Sequence, residues 1–514
     1  MDDTTVKSRY TRMVTMRDPF LDRARVCSKL TIPSLIPPNG HSATSKLPTP
    51  YQAMGARGVN NLAAKLLLAL LPPNSPFFRL TIDDFTLEKL TKQEGMRAEV
   101  EEGLNRIERA VANEIETTAI RAPAFESLKH LIVGGNCLVY FPPTGGMRMF
   151  RLDQYVVKRD PSGNVLEIIV QEKLAPDALP DKVKALVNTK DDKKDKLEKS
   201  VELYTRVWRN GNKWSVMQEI NGLTIPGSAG SYPLNKTAWM PLRFISIENE
   251  DYGRGYVEEY LGDLQSLEGL TKAIVQASAA AAKILFLVRP NSTTTAKTLS
   301  DSESGDIRSG NKEDVTVLQM EKYNDFRVAL DTVNKLEERL SFAFLLNSAI
   351  QRNGERVTAE EIRYMANELE SALGGIYSTM SQEFQLPMVH RLMHQMERQH
   401  KLPALPEGVV KPSIVTGVEA IGRGNDLNKL SQFLQGIAQI PEALQALNVE
   451  DFVKRFGTSL GIDMKGLVKT QDEMAQAQQA AQLRALIEKL GPNAINQLGG
   501  MAQKGMDQNV TATA

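Results

Sequence analysis

Apolar residues recur at steps of three and four through most of this chain, and at every second residue through one stretch of its first half. The sequence therefore predicts an α+β protein that is mainly helical. Val59, Leu62, Leu66 and Leu70 mark a helix over 49–71. Thr49 is placed to cap it, Pro50 suits its first turn because a missing N–H costs nothing there, and Pro72-Pro73 stops it. Leu104, Ile107, Val111 and Ile115 stripe a second helix over 88–119, with Glu101, Arg106, Glu108 and Arg109 assigned to its wet side. A shorter helix, 125–133, ends at Gly134-Gly135. Strands follow at 137–141, 147–152, 165–171, 201–209 and 213–220, separated by turn signals around Pro161-Ser-Gly and Asn210-Gly. The charge run 191–199 reads as a solvated loop or helix face.

From Tyr256 the helical spacing returns, in Val257, Leu261, Leu264, Leu267 and Ile274, with an alanine-rich tail to Lys283. Two strands, 284–288 and 315–319, enclose a polar stretch, 291–314, that is expected to be flexible. The next helix carries Phe326, Leu330, Val333, Leu336, Leu340 and Phe344, while Arg327, Asp331, Lys335 and Glu338 face the other way. Two long amphipathic helices thus bracket a small two-strand insertion, the most informative architectural feature of the chain. A polar connection, 347–357, leads to a helix opened by the capping box Thr358-Ala-Glu-Glu361 and striped by Ile362, Met365, Leu369, Leu373, Ile376, Met380 and Phe384. Gly374-Gly375 weakens its middle and Pro387 should kink it. Further helices are expected at 425–439, 449–460 and 471–490, with a mobile tail at 491–514.

Lys+Arg and Asp+Glu both number 62, so the formal charge is zero. That balance argues against a dedicated DNA-binding domain and leaves room for local contact with DNA. Cys27 and Cys137 give neither a disulfide framework nor a zinc spacing; they read as buried small hydrophobes in a reducing compartment. The N-terminus carries no apolar signal segment. The most apolar run, 62–71, is broken by Lys65 and falls far short of the roughly 20 residues a membrane span needs, so no membrane anchor is expected.

Catalytic constellations are missing. The nearest phosphate-loop string, 417–423, lacks the lysine that would reach the phosphates. His390 and His394 share a helix face, but Arg391 stands where a zinc protease has its general-base glutamate, and a partly exposed helix face is the simpler reading. Ser228 lies between glycines at the wrong spacing for a nucleophile elbow, and neither cysteine has a histidine nearby. No enzyme activity, cofactor or metal is expected. The connection 347–357 carries Arg352 and Arg356, with Gln351, Asn353 and the flexible Gly354. On a lone chain it is an exposed loop; repeated around an axis, it becomes a circle of phosphate contacts, with Glu355 offsetting part of the charge.

Three blocks resemble the portal, or head-to-tail connector, proteins of short-tailed bacteriophages of the autographivirus type. They are 55–78 (GARGVNNLAAKLLLALLPPNSPFF), 125–140 (FESLKHLIVGGNCLVY) and 351–363 (QRNGERVTAEEIR), the last continuing to 373–377 (LGGIY). The resemblance runs from about residue 5 to 460. It implies the portal fold of a ring subunit: a wing over 1–250, stem helices at 251–283 and 326–346, and a clip at 284–325. It also implies a tunnel loop at 347–357, a long kinked wing helix at 358–400, a helical crown at 401–490 and a mobile tail at 491–514. It implies a DNA-facing role for Arg352, Arg356, Gln351, Asn353, Asn347 and Lys335. Asp301, Glu303, Asp306, Arg308 and Lys312 would meet the terminase and later the tail adaptor.

The implied partners are further copies of the chain, in a dodecamer, and double-stranded DNA. They also include the terminase large subunit, the scaffolding and major capsid proteins, the tail adaptor (tail tube) protein and the internal core proteins. The implied location is the portal vertex of the virion, after assembly in the host cytoplasm. The alternative is another phage ring protein such as a tail adaptor; a metal hydrolase using His390 and His394 is a more distant rival.

Overall fold

The computed structural model describes residues 5–42, 44–73, 77–82, 96–175, 179, 183–184, 200–281, 285–318, 323–346, 369, 372–373, 375–403, 410–414, 431–437, 452–453 and 456–457. In chain order its elements begin with α1 (Val6–Leu30), α2 (Met54–Leu70), β1 (Phe78–Ile82), α3 (Met96–Thr117), α4 (Arg121–Gly134), β2 (Asn136–Tyr140) and β3 (Arg148–Phe150). Next come β4 (Tyr155–Arg159), β5 (Val165–Leu174), β6 (Val201–Asn210), β7 (Lys213–Ile220), β8 (Leu223–Thr224), β9 (Gly230–Pro233) and β10 (Trp239–Arg243). The remainder is α5 (Tyr256–Glu259), α6 (Leu261–Ala281), β11 (Leu285–Val288), α7 (Ala296–Ser300), β12 (Val315–Leu318), α8 (Tyr323–Ala343), α9 (Gly375–Met380), α10 (Leu386–Arg398) and β13 (Val410–Ile414). A π-helical turn, Ser381–Gln385, joins α9 to α10.

Two units divide the chain, residues 1–86 with 106–421 and residues 87–105 with 422–514. In the second, 431–437 is helical, as expected, and the rings of Phe452 and Phe456 stack at 6.1 Å.

β4 to β8 form an antiparallel sheet in sequential order, with β9 added on β7. Side chains alternate across it, so Leu203 and Tyr204 serve opposite faces. Tyr204 joins Val156 and Ile169 beneath Val6 and Tyr10 of α1; Leu203 joins Ile220, Ile225, Leu179 and Val183. α1 is fixed at its start by charge. The Glu219 carboxylate accepts from the N–H groups of Val6 (2.8 Å) and Lys7 (3.2 Å), two donors that a helix N-terminus leaves unpaired, and it complements the positive end of the dipole. Buried Glu167 binds both Arg9 and Arg206, at 2.6 and 2.7 Å, tying the helix to β5 and β6. The hydrophobic pattern above does not reveal α1, because Pro19 interrupts it and Arg17 holds a core-facing position. Arg17 is tolerated there because its guanidinium donates to Asp18, to the Tyr10 hydroxyl and to the Asp153 carbonyl.

A second sheet, in the order β10-β2-β3, follows directly from α4. Gly135 ends α4 in the left-handed region (φ 72°), and a Cβ there would strike the Arg254 and Gly255 backbone. Tyr140 and Trp239 stack at 3.9 Å across the β2–β10 pair. β1 pairs with β13 over five registered positions, closing the unit on itself.

Several sequence expectations are corrected. α2 starts at Met54 rather than near Pro50, because the Glu268 carboxylate takes the N–H groups of Tyr51 and Gln52 (3.0 and 3.2 Å) and holds that stretch out of the helix. The Gln52 side chain instead caps Gly55 N at 2.8 Å. Glu108, assigned to the wet side of its helix, is buried and accepts from Leu80 N at 2.8 Å, serving a donor of β1. Residues 410–414, expected to be helical within 401–490, are strand β13. Pro387 sits just inside α10 and is accommodated by the π-turn immediately upstream, which widens the helix where the proline supplies no N–H. No strand was expected at β1, β4, β8, β9 or β10. The second helix is described from Met96; the earlier part of its expected span, the run 191–199, the capping box at 358 and the tail at 491–514 lie outside the described residues.

Candidate functional site

α6 and α8 lie side by side, joined by the two-stranded hairpin β11–β12, so the expected helix–strand–strand–helix order is present. Leu264 and Leu267 of α6 are buried, as are Val333, Leu336 and Leu340 of α8. Arg339 bonds Asp263 at 2.9 Å across the two helices. At the end away from the hairpin, the rings of Tyr256, Tyr260 and Phe344 meet at 5.2–6.0 Å. The Tyr256 hydroxyl donates to the Ala343 carbonyl (2.9 Å), and burial pushes this phenol's pKa up, keeping it the donor.

α2 grips that same end. Asn61 Nδ2 donates to the carbonyls of Phe344 and Leu345, both at 3.0 Å, and Lys65 Nζ donates to Leu345 O at 2.8 Å. These are carbonyls that the last turn of a helix leaves unpaired, and a cation there also meets the negative end of the dipole. The Phe344 ring lies against Gly58, where any Cβ would collide with it. Leu345 then turns with φ 54°. Sequence reading took Lys65 only as a break in an apolar run; a lone lysine on the buried face of a helix was the available signal, since such a cation needs acceptors.

The hairpin loop, expected to be flexible, is organised around buried Asp314. Its Oδ2 accepts from Thr293 Oγ1 (3.1 Å), Thr294 Oγ1 (3.1 Å) and Thr294 N (3.4 Å), and Asn311 N donates to Thr294 Oγ1 at 2.8 Å. On this frame Asp301, Glu303, Asp306, Arg308 and Lys312 are all exposed. The first four come together: Arg308 bonds Asp306 at 3.0 Å and donates to Asp301 O, while Asp306 accepts from Glu303 N. Lys312 stands apart, on a turn capped by Asn311. Lys335 is exposed on the outward face of α8. Asn347, Gln351, Arg352, Asn353 and Arg356 lie outside the described residues.

The helix beyond that connection is held from two sides. Glu383, on the π-turn, accepts from Arg243 through its backbone N (3.0 Å), Nε (3.0 Å) and Nη2 (2.5 Å). Arg159, buried 4.0 Å from the same carboxylate, has its pKa pulled down to about 10 by burial, against which Glu383 works. Gln385 Nε2 donates to Leu70 O at 2.7 Å, so α2 is engaged at its C-terminal end as well. None of Glu383, Arg243 or Asn61 was singled out by the sequence pattern, because each acts through a partner more than a hundred residues away.

Burial lowers the pKa of both His390 and His394, and His394 lies 4.0 Å from Glu397. Among the described residues no group of three His, Cys, Asp or Glu side chains could hold a metal ion. Cys27 and Cys137 are buried free thiols; burial pushes Cys27 up to about 12 and Cys137 higher still. Ser228 is engaged with Gln218 and Ile225. No described helix is long and apolar enough to cross a membrane.

Residues 3–468 match the family model described as bacteriophage head to tail connecting protein. The chain is 42% identical to the portal protein of Escherichia phage T7, covering 93% of this chain and 91% of that one. It is 43% identical to the portal protein of Enterobacteria phage T3 (93% and 90% covered) and 32% identical to that of Enterobacteria phage SP6 (94% of each). Among solved structures, a chain from the neck of an empty gene transfer agent particle aligns over 74% of this chain and 86% of that one, at 9% identity and a TM-score of 0.35.

Proposed function

The chain belongs to the family of bacteriophage head-to-tail connecting, or portal, proteins, and from that premise we propose that twelve copies close into a ring at one capsid vertex and conduct double-stranded DNA into the head during packaging and out during ejection. The observation that carries this reading is the family match across residues 3–468. The helix–hairpin–helix segment supports it, since α6 and α8, buttressed by α2, supply a stiff wall.

In this reading 1–250 and 358–400 form the wing, 251–283 and 326–346 the stem, 284–325 the clip, 347–357 the tunnel loop and 401–490 the crown. Arg352 and Arg356, with Gln351, Asn353, Asn347 and Lys335, touch the duplex backbone. A few phosphate contacts per subunit suit a conduit, because many strong ones would arrest the DNA. The charged clip surface at Asp301, Glu303, Asp306, Arg308 and Lys312 receives the terminase large subunit and later the tail adaptor. Scaffolding, major capsid and internal core proteins meet the ring inside the head. The ring is assembled in the host cytoplasm and stays in the virion. No bond is made or broken by the chain, and the ATPase that drives packaging is another protein. The tail-adaptor alternative has no observation of its own in its favour.

Electron microscopy of purified protein should show hollow rings with an axial opening wide enough for a duplex. In the variant Arg352→Ala/Arg356→Ala the rings should persist while packaged DNA, or its retention, falls. Unchanged packaging and retention would remove the loop from the mechanism.

A further inference from the structure

α8 ends in a turn that its own sequence does not favour. Leu345 N donates to Phe342 O at 3.1 Å and Leu346 N donates to Ser341 O at 2.8 Å. That pair of bonds closes a helix when the residue just past its cap is left-handed, a position that glycine or asparagine ordinarily takes. Here Leu345 takes it, at φ 54°. A leucine Cβ is crowded by the backbone in that region, so the turn needs a second source of stability. Asn221, Asn249 and Asn291 also have positive φ, but asparagine tolerates it by itself.

The second source is α2. Gly58, Asn61 and Lys65 lie at steps of three and four, on one face of that helix. Gly58 leaves room for the Phe344 ring and for no side chain of its own. Asn61 Nδ2 spans the turn, reaching the carbonyls of Phe344 and Leu345, each at 3.0 Å. Lys65, only 6% exposed, donates to Leu345 O at 2.8 Å. Turning Leu345 into the right-handed region would swing its carbonyl away from both donors and take this acceptor from a buried ammonium, which is the costlier state. The last turn of the same helix receives Gln385 Nε2 at Leu70 O, 2.7 Å away. One helix therefore holds the chain on both sides of the connection.

We infer that Asn61 and Lys65 are positioning residues for the DNA-facing connection: they hold Leu345 in its left-handed turn and thereby fix where the stem helix stops and the connection starts. They act through the main chain of Leu345, not on the duplex. The inference rests on the reading of 347–357 as DNA-facing and adds the groups that set its origin.

Lys65→Met, in rings of the full chain, removes the charge and keeps the bulk. Hydrogen exchange over residues 341–350 should become at least tenfold faster, while exchange over β5 and β6 stays as in the unsubstituted ring. Particles assembled with this variant should retain severalfold less DNA. Adding Leu345→Gly should bring both readings back toward those of the unsubstituted chain, because glycine keeps a left-handed turn without a clamp. A lysine that merely filled space would not be rescued in this way. If Lys65→Met subunits fail to assemble, Asn61→Ala, at a partly buried position, carries the same comparison with Leu345→Gly. Unchanged exchange, or no rescue by Leu345→Gly, would overturn the hold on the turn. Faster exchange with full DNA retention would overturn the positioning role when Arg352→Ala/Arg356→Ala particles do lose DNA. Full retention in both variants would instead sink the DNA-facing reading, and this role with it.

Discussion

Beneath α1, Val156 and Ile169 of the six-stranded sheet are closed to solvent, while along α8 Val328, Leu330 and Phe342 are each at least half exposed. The sheet region satisfies its own apolar surface and its own charges, with Glu167 and Glu219 both engaged by α1. The helical pair satisfies only its inner side, at Leu264, Leu267, Val333, Leu336 and Leu340. Its hairpin has just two strands, below the number that is independently stable in water, and shows Phe286 and Leu287 to solvent. One region closes its apolar surface within the chain, and the other leaves part of its apolar surface open to solvent. Substitutions should divide in the same way, between stability of the subunit and formation of the assembly.

The largest effect on the subunit is expected in the sheet. Ile169→Ala should cost about 2–5 kcal/mol in chemical denaturation, since it removes a packed side chain from a site that cannot collapse. A cost below about 1 kcal/mol would mean that the sheet core is looser than described. A smaller, pH-dependent effect is expected at His130, buried on α4 with Nδ1 unpartnered and its pKa held down at about 4 by burial. The unfolded imidazole titrates near 6.5, so between these values the unfolded chain binds more protons than the folded one. Stability should be full above pH 6.5 and fall by on the order of 2–3 kcal/mol as the pH drops toward 4. Denaturation midpoints of the native chain and His130→Leu, compared at pH 7 and 4.5, check this: the variant should lose less. Smallest is Val328→Ser on the outward face of α8, which should change subunit stability by less than about 0.5 kcal/mol. A large loss of subunit stability would show that this face is already covered within the chain and would erase the contrast.

The helical pair and its hairpin were legible because the apolar period changes from about 3.6 to 2 and back again, a local signal carried by Leu264, Leu267, Val315, Val317, Val333 and Leu336. The forecasts failed where long-range contacts overruled local chemistry. Pro50 was a sound helix opener until Glu268, over two hundred residues away, claimed the neighbouring N–H groups. Glu108 looked like a surface charge until the Leu80 donor was placed beside it. Of the residues named in the hairpin loop, Asp301, Glu303, Asp306 and Arg308 lie together because turn-forming residues concentrate there, while Lys312 stands apart. The Asn61–Lys65 clamp stayed hidden because its acceptors are main-chain carbonyls, which no pattern of side chains reports.

The β1–β13 ladder sets a clock on synthesis. Thr81 bonds the carbonyl of Lys411, 330 positions further along. At a translation rate of about 5–20 residues per second, strand β1 leaves the ribosome roughly 15–65 s before its partner exists. Through that interval its edge is an open template for any extended chain nearby, including the same segment of a sister polypeptide on the same messenger. Slower elongation lengthens that interval in proportion.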